Sequence, residues 1–409
     1  MDNAGMVETA SSTTRPKVVR IIGRLNIGGP ARQACYLHHA LRDEFDTTLI
    51  AGHLDVQEGD MSYLLAPDEP GVEWLGSMSR PIRLWNDLLS MLAILRVLRR
   101  VKPQIVHTHT AKAGAVGRVA AILAGVPVLV HTYHGHVFRG YFNNAATWIF
   151  QCIERMLNLF TTRVIALSES QASELADEFQ VVPRSKVTVL SNGFEFPIHV
   201  GSADASAARS HLRQELALNA DDFVALWTGR LVPIKGVDLL ADVIREAQQK
   251  APHMVFLIAG DGILKQELFE RTAGCTNLKW LGWRKDISEL WFAADCALLT
   301  SLNEGTPAAL IEAMAAGKPF VSVEVGGVGD LAMDAKAMPN LPGAKQAGNG
   351  FITERNSNVL LQCLQQVAQD PQLAQDMGRM GCALAHGKYS SKRLKLDMAA
   401  LYHQLLKKA

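Results

Sequence analysis

The sequence has few cysteines, almost no net charge and no long apolar run. It has 409 residues, six of them cysteine, and a formal net charge of +1. The cysteines show no zinc-type or redox spacing, so a reduced cytoplasmic compartment is expected. No stretch of about eighteen residues is both apolar and uncharged, and the start of the chain lacks the apolar core of a signal peptide. We therefore expect a cytoplasmic protein that neither spans a membrane nor is secreted, and that has no nucleic-acid partner.

Basic residues are nevertheless unevenly spread. Residues 80–163 contain eleven Lys and Arg against only Asp87 and Glu154, an excess of nine. The preferred interpretation is basic residues solvated at helix ends; a surface for an anionic acceptor or for peripheral contact with the inner membrane face is the second interpretation. Within it, RLWNDLLSMLAILRVLRRVKP predicts a helix that is buried or faces another subunit, and an interfacial helix is the second interpretation.

The alternation of apolar runs with glycine loops predicts two α/β domains. Strand and helix patterns alternate in segments such as KVVRIIGRLNIGGPARQACYLHHAL, and the series starts again at FVALWTGRLVPIKGVDLLADVI. Continuous Val/Ile/Leu runs are typical of parallel strands that are covered on both faces. The expected fold class is α/β, with two Rossmann-like doubly wound domains facing across a cleft that receives the loops at the carboxyl ends of their strands.

The same pattern divides the chain into four parts. We expect a disordered tail at residues 1–15, one Rossmann-like domain at 16–197, a second at 198–385 and a terminal helix at 386–409. Residues 198–222 are polar and lack strand signals, so they predict a linker with a short helix. The terminal helix is amphipathic, and its apolar face needs a surface to cover.

The segment NEGTPAALIEAMAAGKP places Glu304 and Glu312 eight positions apart. Thr306 and Pro307 are a cap and first-turn pair, which predicts a helix whose free amides, at the next two residues, attract phosphate. Glu312 shares its helix face with alanines and so can accept hydrogen bonds from a ligand that lies flat on that face. Two such acceptors with a phosphate between them suit a nucleotide sugar. Two solvated glutamates are the alternative.

A second motif, TGRLVPIKG, follows a predicted strand and carries Arg230 and Lys235. Two cations on a loop with Gly229 and Gly236 suit a diphosphate leaving group, and two solvated cations are the alternative. The glycines of IAGDGILKQEL resemble a dinucleotide loop but do not complete the G-x-G-x-x-G fingerprint. A nicotinamide-dependent dehydrogenase is therefore a weak alternative.

The N-terminal half offers a glycine pair and a histidine group. Gly28 and Gly29 in LNIGGPAR are predicted directly after a strand, where the backbone can approach a phosphate; a plain turn is the alternative. Five histidines lie at predicted strand ends: His107, His109, His131, His134 and His136. Strand alternation makes His107 face the same way as His109, and His134 the same way as His136. No carboxylate or cysteine completes a metal shell nearby, so we expect no metal. His134 is the preferred hydrogen-bond donor to a sugar hydroxyl, because Gly135 implies a turn that exposes it.

Together, GGPAR, HTYHGH, SNGFE, TGRLVPIKG, IAGDG and EGTPAALIEAMAAGKP resemble glycosyltransferase family 4, whose members have the GT-B fold, retain anomeric configuration and generally need no metal. The resemblance implies an N-terminal acceptor-side domain, a C-terminal nucleotide-sugar domain and a last helix that packs back on the first. It implies that Glu312 binds the ribose and Glu304 the transferred sugar, and that His134 lies beside that sugar. It also implies that the diphosphate is contacted by Arg230, Lys235, Gly28 and Gly29. The backbone at Gly305, Thr306 and Pro307 would contact the donor, and Glu195 would occupy an acidic position of the family pattern.

The function expected from this resemblance is transfer of a hexose or N-acetylhexosamine from a nucleotide sugar, most simply a UDP-sugar, to a glycan or lipid-linked acceptor in bacterial cell-surface polysaccharide synthesis. The nucleotide sugar is a co-substrate, and no cofactor is expected. No motif supplies a carboxylate nucleophile, so attack on the face that the diphosphate leaves is preferred. Two alternatives stay open: a nucleotide-sugar 2-epimerase on the same scaffold, and a nucleotide-sugar-binding or scaffold protein without turnover.

Overall fold

The computed structural model describes residues 15–26, 28–54, 59–79, 83–135, 138, 144–196 and 199–409. Contacts group the chain into two compact units. The first comprises Met1–Thr132, Met156–Arg163 and Ala399–Ala409, and the second comprises Tyr133–Arg155 and Val164–Met398. The expected domain limits at residues 197 and 385 stay predictions, and the expected tail lies outside the described residues.

One sheet has seven strands. They are β1 (Lys17–Ile22), β2 (Asp46–Gly52), β3 (Val72–Leu75), β4 (Ile105–His109), β5 (Val128–Thr132), β6 (Arg163–Ala166) and β7 (Val187–Val189). Its order is β3-β2-β1-β4-β5-β6-β7, and every strand pair whose register is described is parallel. The connecting helices are α1 (Gly29–Ala40), α2 (Leu84–Val101), α3 (Ala111–Ala124), α4 (Asn144–Phe160) and α5 (Glu169–Ser173). Strand order reverses between β1 and β4, which is where open α/β sheets bind ligands.

The other sheet has eight strands. They are β8 (Phe223–Thr228), β9 (Met254–Ala259), β10 (Leu278–Gly282), β11 (Cys296–Leu299), β12 (Phe320–Val323), β13 (Lys336–Ala337), β14 (Ala344–Ala347) and β15 (Gly350–Thr353). The order is β10-β9-β8-β11-β12-β15-β14-β13, and β14 is antiparallel to both of its neighbours, β15 and β13. The helices that follow along the chain are α6 (Ala203–Glu215), α7 (Val237–Lys250), α8 (Lys265–Arg271), α9 (Ile287–Ala293), α10 (Ala308–Ala315), α11 (Ser357–Gln369), α12 (Pro371–Lys388) and α13 (Ser391–Leu406). The prediction of two doubly wound sheets is confirmed.

The segment expected to be a linker is a docked helix. Leu212 on α6 is buried in the apolar core of the second unit. Arg209 and Arg213 donate to Asp295 at 2.8 and 3.4 Å, beside α9. The expected short helix is therefore confirmed, whereas the expectation that it belongs to a linker was wrong, because these long-range contacts are not visible in the segment's polar composition.

Helix α2 is buried on one side only. Ile94 and Leu98 pack in the core, whereas five apolar side chains are exposed: Leu84, Trp85, Leu88, Leu89 and Leu92. The expectation of a buried helix holds for half of its surface. Among the helices of the described residues, none is both long and apolar enough to cross a bilayer.

Helix α4 turns two polar side chains inward and an apolar row outward, although Leu157 on the same helix is also buried. Glu154 accepts a hydrogen bond from the Tyr133 hydroxyl, and Asn158 accepts one from Arg118 at 3.1 Å. Both acceptors are buried. The outer face exposes an apolar row: Trp148, Ile149, Ile153, Met156, Leu159 and Phe160. Periodicity alone cannot show which face of such a helix turns inward.

The end of α13 packs on the seven-stranded sheet. The Tyr402 hydroxyl lies 2.6 Å from Nδ1 of His107 and accepts a hydrogen bond from Arg20 at 3.4 Å. All three side chains are fully buried. These contacts lie within the first unit and fix the last turns of the chain to β1 and β4.

Candidate active site

A largely buried ion pair of the second unit lies where its strand order reverses, between β8 and β11. The loop after β8 carries Lys235, and the loop after β11 carries Glu304. Lys235 Nζ lies 2.6 Å from Glu304 Oε1, and the two side chains are only 21% and 10% exposed. The Ser301 hydroxyl donates to the same oxygen at 2.6 Å. Carboxyl ends of strands at a reversal point are the usual ligand site of such sheets.

Neutral hydrogen bonds hold these two loops together. The Thr300 hydroxyl donates to the carbonyl of Lys235 at 3.0 Å and accepts from the indole of Trp227 at 3.2 Å. Gly236 has φ +63°, and a Cβ there would lie 2.0 Å from the Thr300 carbonyl oxygen. Only glycine fits such a close approach, so the position of Lys235 depends on it.

Arg230 lies in a more open setting than Lys235. Its side chain is exposed at the start of the same loop. Gly229 N donates to the carbonyl of Ala259 at 3.1 Å, and a Cβ on Gly260 would lie 1.8 Å from the Gly229 carbonyl oxygen. Two glycines thus let the loop that carries Arg230 rest directly on the loop after β9.

Helix α10 starts later than expected. It begins at Ala308 with Pro307 in the N-cap position, and no side chain caps it. The expectation that Thr306 is the cap was wrong: Pro307 takes the capping position with an extended ψ of 90°, and the Thr306 hydroxyl is buried one residue further back. Leu310 is the first residue of the helix whose amide donates to a carbonyl at its start. The N-terminus of the helix therefore still offers the amides of Ala308 and Ala309 to an anion.

The second glutamate lies on the helix face that its spacing predicts. Leu310, Ile311 and Met314 are fully buried, while Glu312 is partly exposed. Glu312 lines a cavity of about 20 Å³, the size of a water molecule, together with Glu195 and other side chains: Phe196, Ser288, Phe292, Ala315 and Ala316. The structure thus brings Glu195 and Glu312 to one small cavity.

His134 meets the glutamate loop through its backbone. A Cβ on Gly305 would lie 3.2 Å from the His134 carbonyl oxygen, so the two segments, both in the second unit, touch there. His134 is partly buried in a bend with Gly135 at φ +151°. Burial lowers the pKa of His134 from 6.5 to about 3, so its imidazole is neutral at physiological pH.

The other histidines belong to the interior of the first sheet. The rings of His107 and His109 stack with centroids 4.2 Å apart, which confirms that they share a face. His131 Nδ1 lies 2.8 Å from the Thr108 hydroxyl. His136 lies outside the described residues. Among the residues that the structure covers, no group of three His, Cys, Asp or Glu side chains is placed to hold a metal ion.

The glycine pair lies at a helix start rather than at a strand end. β1 ends at Ile22, six residues before Gly28, which is the N-cap of α1, and Gly29 is its first residue. The expectation that the pair directly follows a strand was therefore wrong, because an irregular segment intervenes. The other loop at the strand reversal of the first sheet follows β4, and its residue Thr110 has φ +66°. Strain at a non-glycine residue is common at functional sites, and the sequence carried no signal for it.

Sequence reasoning also missed three residues that shape the Glu304 loop. Ser301 precedes Glu304 by three positions, a spacing that could have indicated their contact. Gly327 N donates to the Glu304 carbonyl at 2.9 Å, and a Cβ on Gly326 would lie 2.0 Å from that oxygen. These glycines come from the loop after β12, so only the fold brings them here.

Comparison with known proteins identifies the family of this chain. Residues 27–196 match the family described as Glycosyltransferase Family 4, and residues 222–370 match Glycosyl transferases group 1. The chain is 30% identical over 320 residues to the Escherichia coli UDP-Gal:alpha-D-GlcNAc-diphosphoundecaprenol alpha-1,3-galactosyltransferase, covering 77% of each chain. It is 23% identical over 340 residues to the Staphylococcus aureus capsular polysaccharide biosynthesis glycosyltransferase CapM, covering 81% of this chain and 85% of that one.

Solved structures show the same fold. Anabaena Alr3699/HepE in complex with UDP and glucose matches 95% of this chain and 100% of its own, with a TM-score of 0.75 and 24% identity. Sucrose-phosphate synthase from Thermosynechococcus elongatus matches 97% and 100%, with a TM-score of 0.77 and 19% identity. The fold is thus that of the GT-B glycosyltransferases. The chain belongs to glycosyltransferase family 4, and its relatives act in bacterial polysaccharide and glycan biosynthesis.

Proposed function

We propose that this protein is a retaining glycosyltransferase that moves a hexose or N-acetylhexosamine from a UDP-sugar to a glycan or lipid-linked acceptor in cell-surface polysaccharide synthesis. The observation that carries the proposal is the contact of Lys235 with Glu304 at the strand reversal of the second sheet, beside the amides of α10. The name of the E. coli relative, a UDP-galactose-dependent enzyme with a lipid diphosphate acceptor, supports the donor and the acceptor class.

Each charged residue then has a chemical task. Lys235 and Arg230 stabilise the departing diphosphate, and the backbone at Gly305, Thr306 and Pro307 contributes donor contacts. Glu304 accepts hydrogen bonds from hydroxyls of the transferred sugar, and Glu312 accepts those of the ribose. In the free protein Lys235 and Glu304 neutralise each other, so neither half-buried charge is left unpaired before the donor arrives. No resident metal is proposed.

We infer attack on the face that the diphosphate leaves. The bond between the anomeric carbon and the diphosphate oxygen breaks, the acceptor oxygen bonds to that carbon on the same face, and its proton passes to the departing phosphate oxygen. The neutral imidazole of His134 hydrogen-bonds a sugar hydroxyl without adding charge. The alpha linkage named for the E. coli enzyme supports retention, since UDP-galactose carries its sugar in the alpha configuration.

We also propose that α2 docks on the inner membrane face. Its exposed apolar row, which includes Leu89 and Leu92, continues along the same helix side into Arg96 and Arg99. The acidic residue of this helix, Asp87, pairs with Lys112, so it does not oppose anionic lipid. Apolar side chains next to exposed arginines suit an anionic bilayer that carries the acceptor.

Vesicle flotation tests this docking. Wild type should float with phosphatidylglycerol vesicles in a salt-sensitive manner and much less with phosphatidylcholine. The double substitution Leu89→Glu and Leu92→Glu should abolish flotation, whereas Leu396→Glu, at an exposed leucine on α13, should not. Equal flotation of the double variant and wild type, or no flotation of wild type, would remove the membrane component of the proposal.

A thermal-shift panel of UDP, GDP, ADP, their sugars and NAD tests the donor. A ligand that binds only the native state raises its melting temperature, so one nucleotide should stabilise wild type and lose this effect in Glu312→Ala. Incubation of that nucleotide's sugars with lipid extract should then release the free diphosphate. Stabilisation by NAD alone would refute the proposal. Stabilisation by a nucleotide sugar without transfer or hydrolysis would favour a binding or scaffold protein, and a changed sugar epimer would favour an epimerase.

A further inference from the structure

The first unit contains a large open cavity. It is formed between residues 60–69 and the edge strand β3, with a volume of about 710 Å³. That is within the range of roughly 300–1,000 Å³ that is usual for ligand pockets. Two aromatic and three acidic side chains line it: Tyr63, Trp74, Asp60, Asp68 and Glu69.

The aromatic side chains present open ring surface to this cavity. Trp74 is 44% exposed and Tyr63 is 69% exposed. His53 stacks on Trp74 with ring centroids 6.1 Å apart and planes 26° from parallel, so one side of the indole is supported. Flat apolar rings at a wet, concave surface suit pyranose sugars, whose axial C–H groups stack on aromatic rings while their hydroxyls point to the side.

The acidic groups supply hydrogen-bond acceptors. Burial alone would raise the pKa of Glu69, but hydrogen bonds from the Ala66 amide and from Arg42 hold it below its usual range. Arg42 Nη1 lies 2.5 Å from Glu69 Oε1, and the Ala66 amide lies 3.1 Å from Oε2. The carboxylate of Asp60 is likewise fixed by Ser62. Ionised, fixed carboxylates accept strongly from sugar hydroxyls and repel phosphate.

The cavity adjoins the glycine loop at the strand reversal of the first sheet. Met61 lies between two cavity residues, and its Sδ accepts a hydrogen bond from Gly28 N at 3.3 Å. Asn26, in the same loop, forms a backbone bridge with Asp60. A ligand in the cavity would therefore lie next to the loop that is predicted to approach the donor.

We propose that this cavity binds the saccharide part of the acceptor, with Trp74 and Tyr63 as stacking surfaces and Glu69 as a hydroxyl acceptor. The proposal rests on the proposed function, because it names the acceptor chemistry of the same enzyme. The carboxylates select neutral sugar rings rather than the phosphates of a lipid-linked acceptor.

Saturation-transfer NMR with soluble saccharides tests the cavity without needing turnover. N,N′-diacetylchitobiose, lactose and p-nitrophenyl N-acetylglucosaminide serve as probes. At least one should bind wild type and Trp74→Phe, while Trp74→Ala weakens it about tenfold, the loss expected for one stacking contact. Trp148→Ala, which removes a 63% exposed indole on α4, is the matched control and should leave the saccharide signal unchanged.

Two outcomes would overturn the proposal: no saccharide signal from wild type, or equal signals from wild type and a Trp74→Ala variant with the same melting temperature. Should Trp74→Ala fail to fold, Tyr63→Ala provides the second test and should lower the same signal. UDP binding is measured in parallel. Stabilisation by UDP without any saccharide signal refutes the cavity alone, whereas a Trp74-dependent saccharide signal without nucleotide binding or transfer refutes the donor assignment and leaves the saccharide site.

Discussion

Removal of the Lys235 ammonium should destabilise the second unit through Glu304. In Lys235→Met the Glu304 carboxylate keeps the Ser301 hydroxyl but loses its counter-ion, although it is only 10% exposed. Breaking a buried pair costs about 3–5 kcal/mol and breaking a surface pair about 0–1 kcal/mol. Because about a fifth of Lys235 remains exposed, we expect a loss of about 2 kcal/mol.

A double-mutant cycle isolates this interaction. Glu304→Gln leaves a lysine that can turn to solvent, so it should cost only about 1 kcal/mol. The double variant should cost about 1 kcal/mol rather than the sum, which gives a coupling of about 2 kcal/mol. Calorimetry measures this as a fall in melting temperature of roughly 4–8 °C for Lys235→Met, about half of which is recovered in the double variant.

The chain contains a matched control. Lys345 and Glu324 approach equally closely, at 2.6 Å, but their side chains are 44% and 41% exposed, far more than those of Lys235 and Glu304. The same cycle there should give a coupling below about 1 kcal/mol. If the losses at Lys235 and Glu304 add without coupling, or if both pairs give the same coupling, the argument that burial strengthens the Lys235–Glu304 pair is refuted.

Further predictions concern the loops and the neutral histidine. Gly260→Ala should lower transfer sharply, because its Cβ would lie 1.8 Å from the Gly229 carbonyl oxygen and must displace the loop that carries Arg230. Gly274→Ala is the kinetic control. Gly274 also has a positive φ but has open space around it, so this variant should retain turnover. Because the pKa of His134 falls from 6.5 to about 3 on folding, the unfolded chain takes up the proton first. The stability that this residue contributes is therefore present above about pH 6.5 and lost as pH falls towards 3, and His134→Asn should flatten the unfolding free energy over that range in urea titrations. Steady-state kinetics should show Glu312→Ala raising KM for the donor and Lys235→Ala mainly lowering kcat; unchanged constants in both would overturn the site assignment.

Several features could be predicted from the sequence because they depend on neighbours along the chain. Continuous apolar runs between helical patterns predicted two doubly wound sheets, and the spacing of Glu312 among alanines predicted which face of α10 is partly exposed. Resemblance of the motifs to family 4 predicted the family. In each case the signal is local, since strand and helix periods and loop glycines are set by a few consecutive residues.

Only the tertiary structure decided the features that depend on distant segments. It determined that α4 turns Glu154 and Asn158 inward, that Lys235 pairs with Glu304 across 69 positions, and that Trp74 lines an open cavity beside residues 60–69. These features could not be predicted from local sequence. A helix buries whichever face finds partners, including polar ones, and the position of a charged side chain depends on the loops that pack around it. Local pattern selected the fold class, and long-range packing selected the geometry in which Lys235 and Glu304 meet.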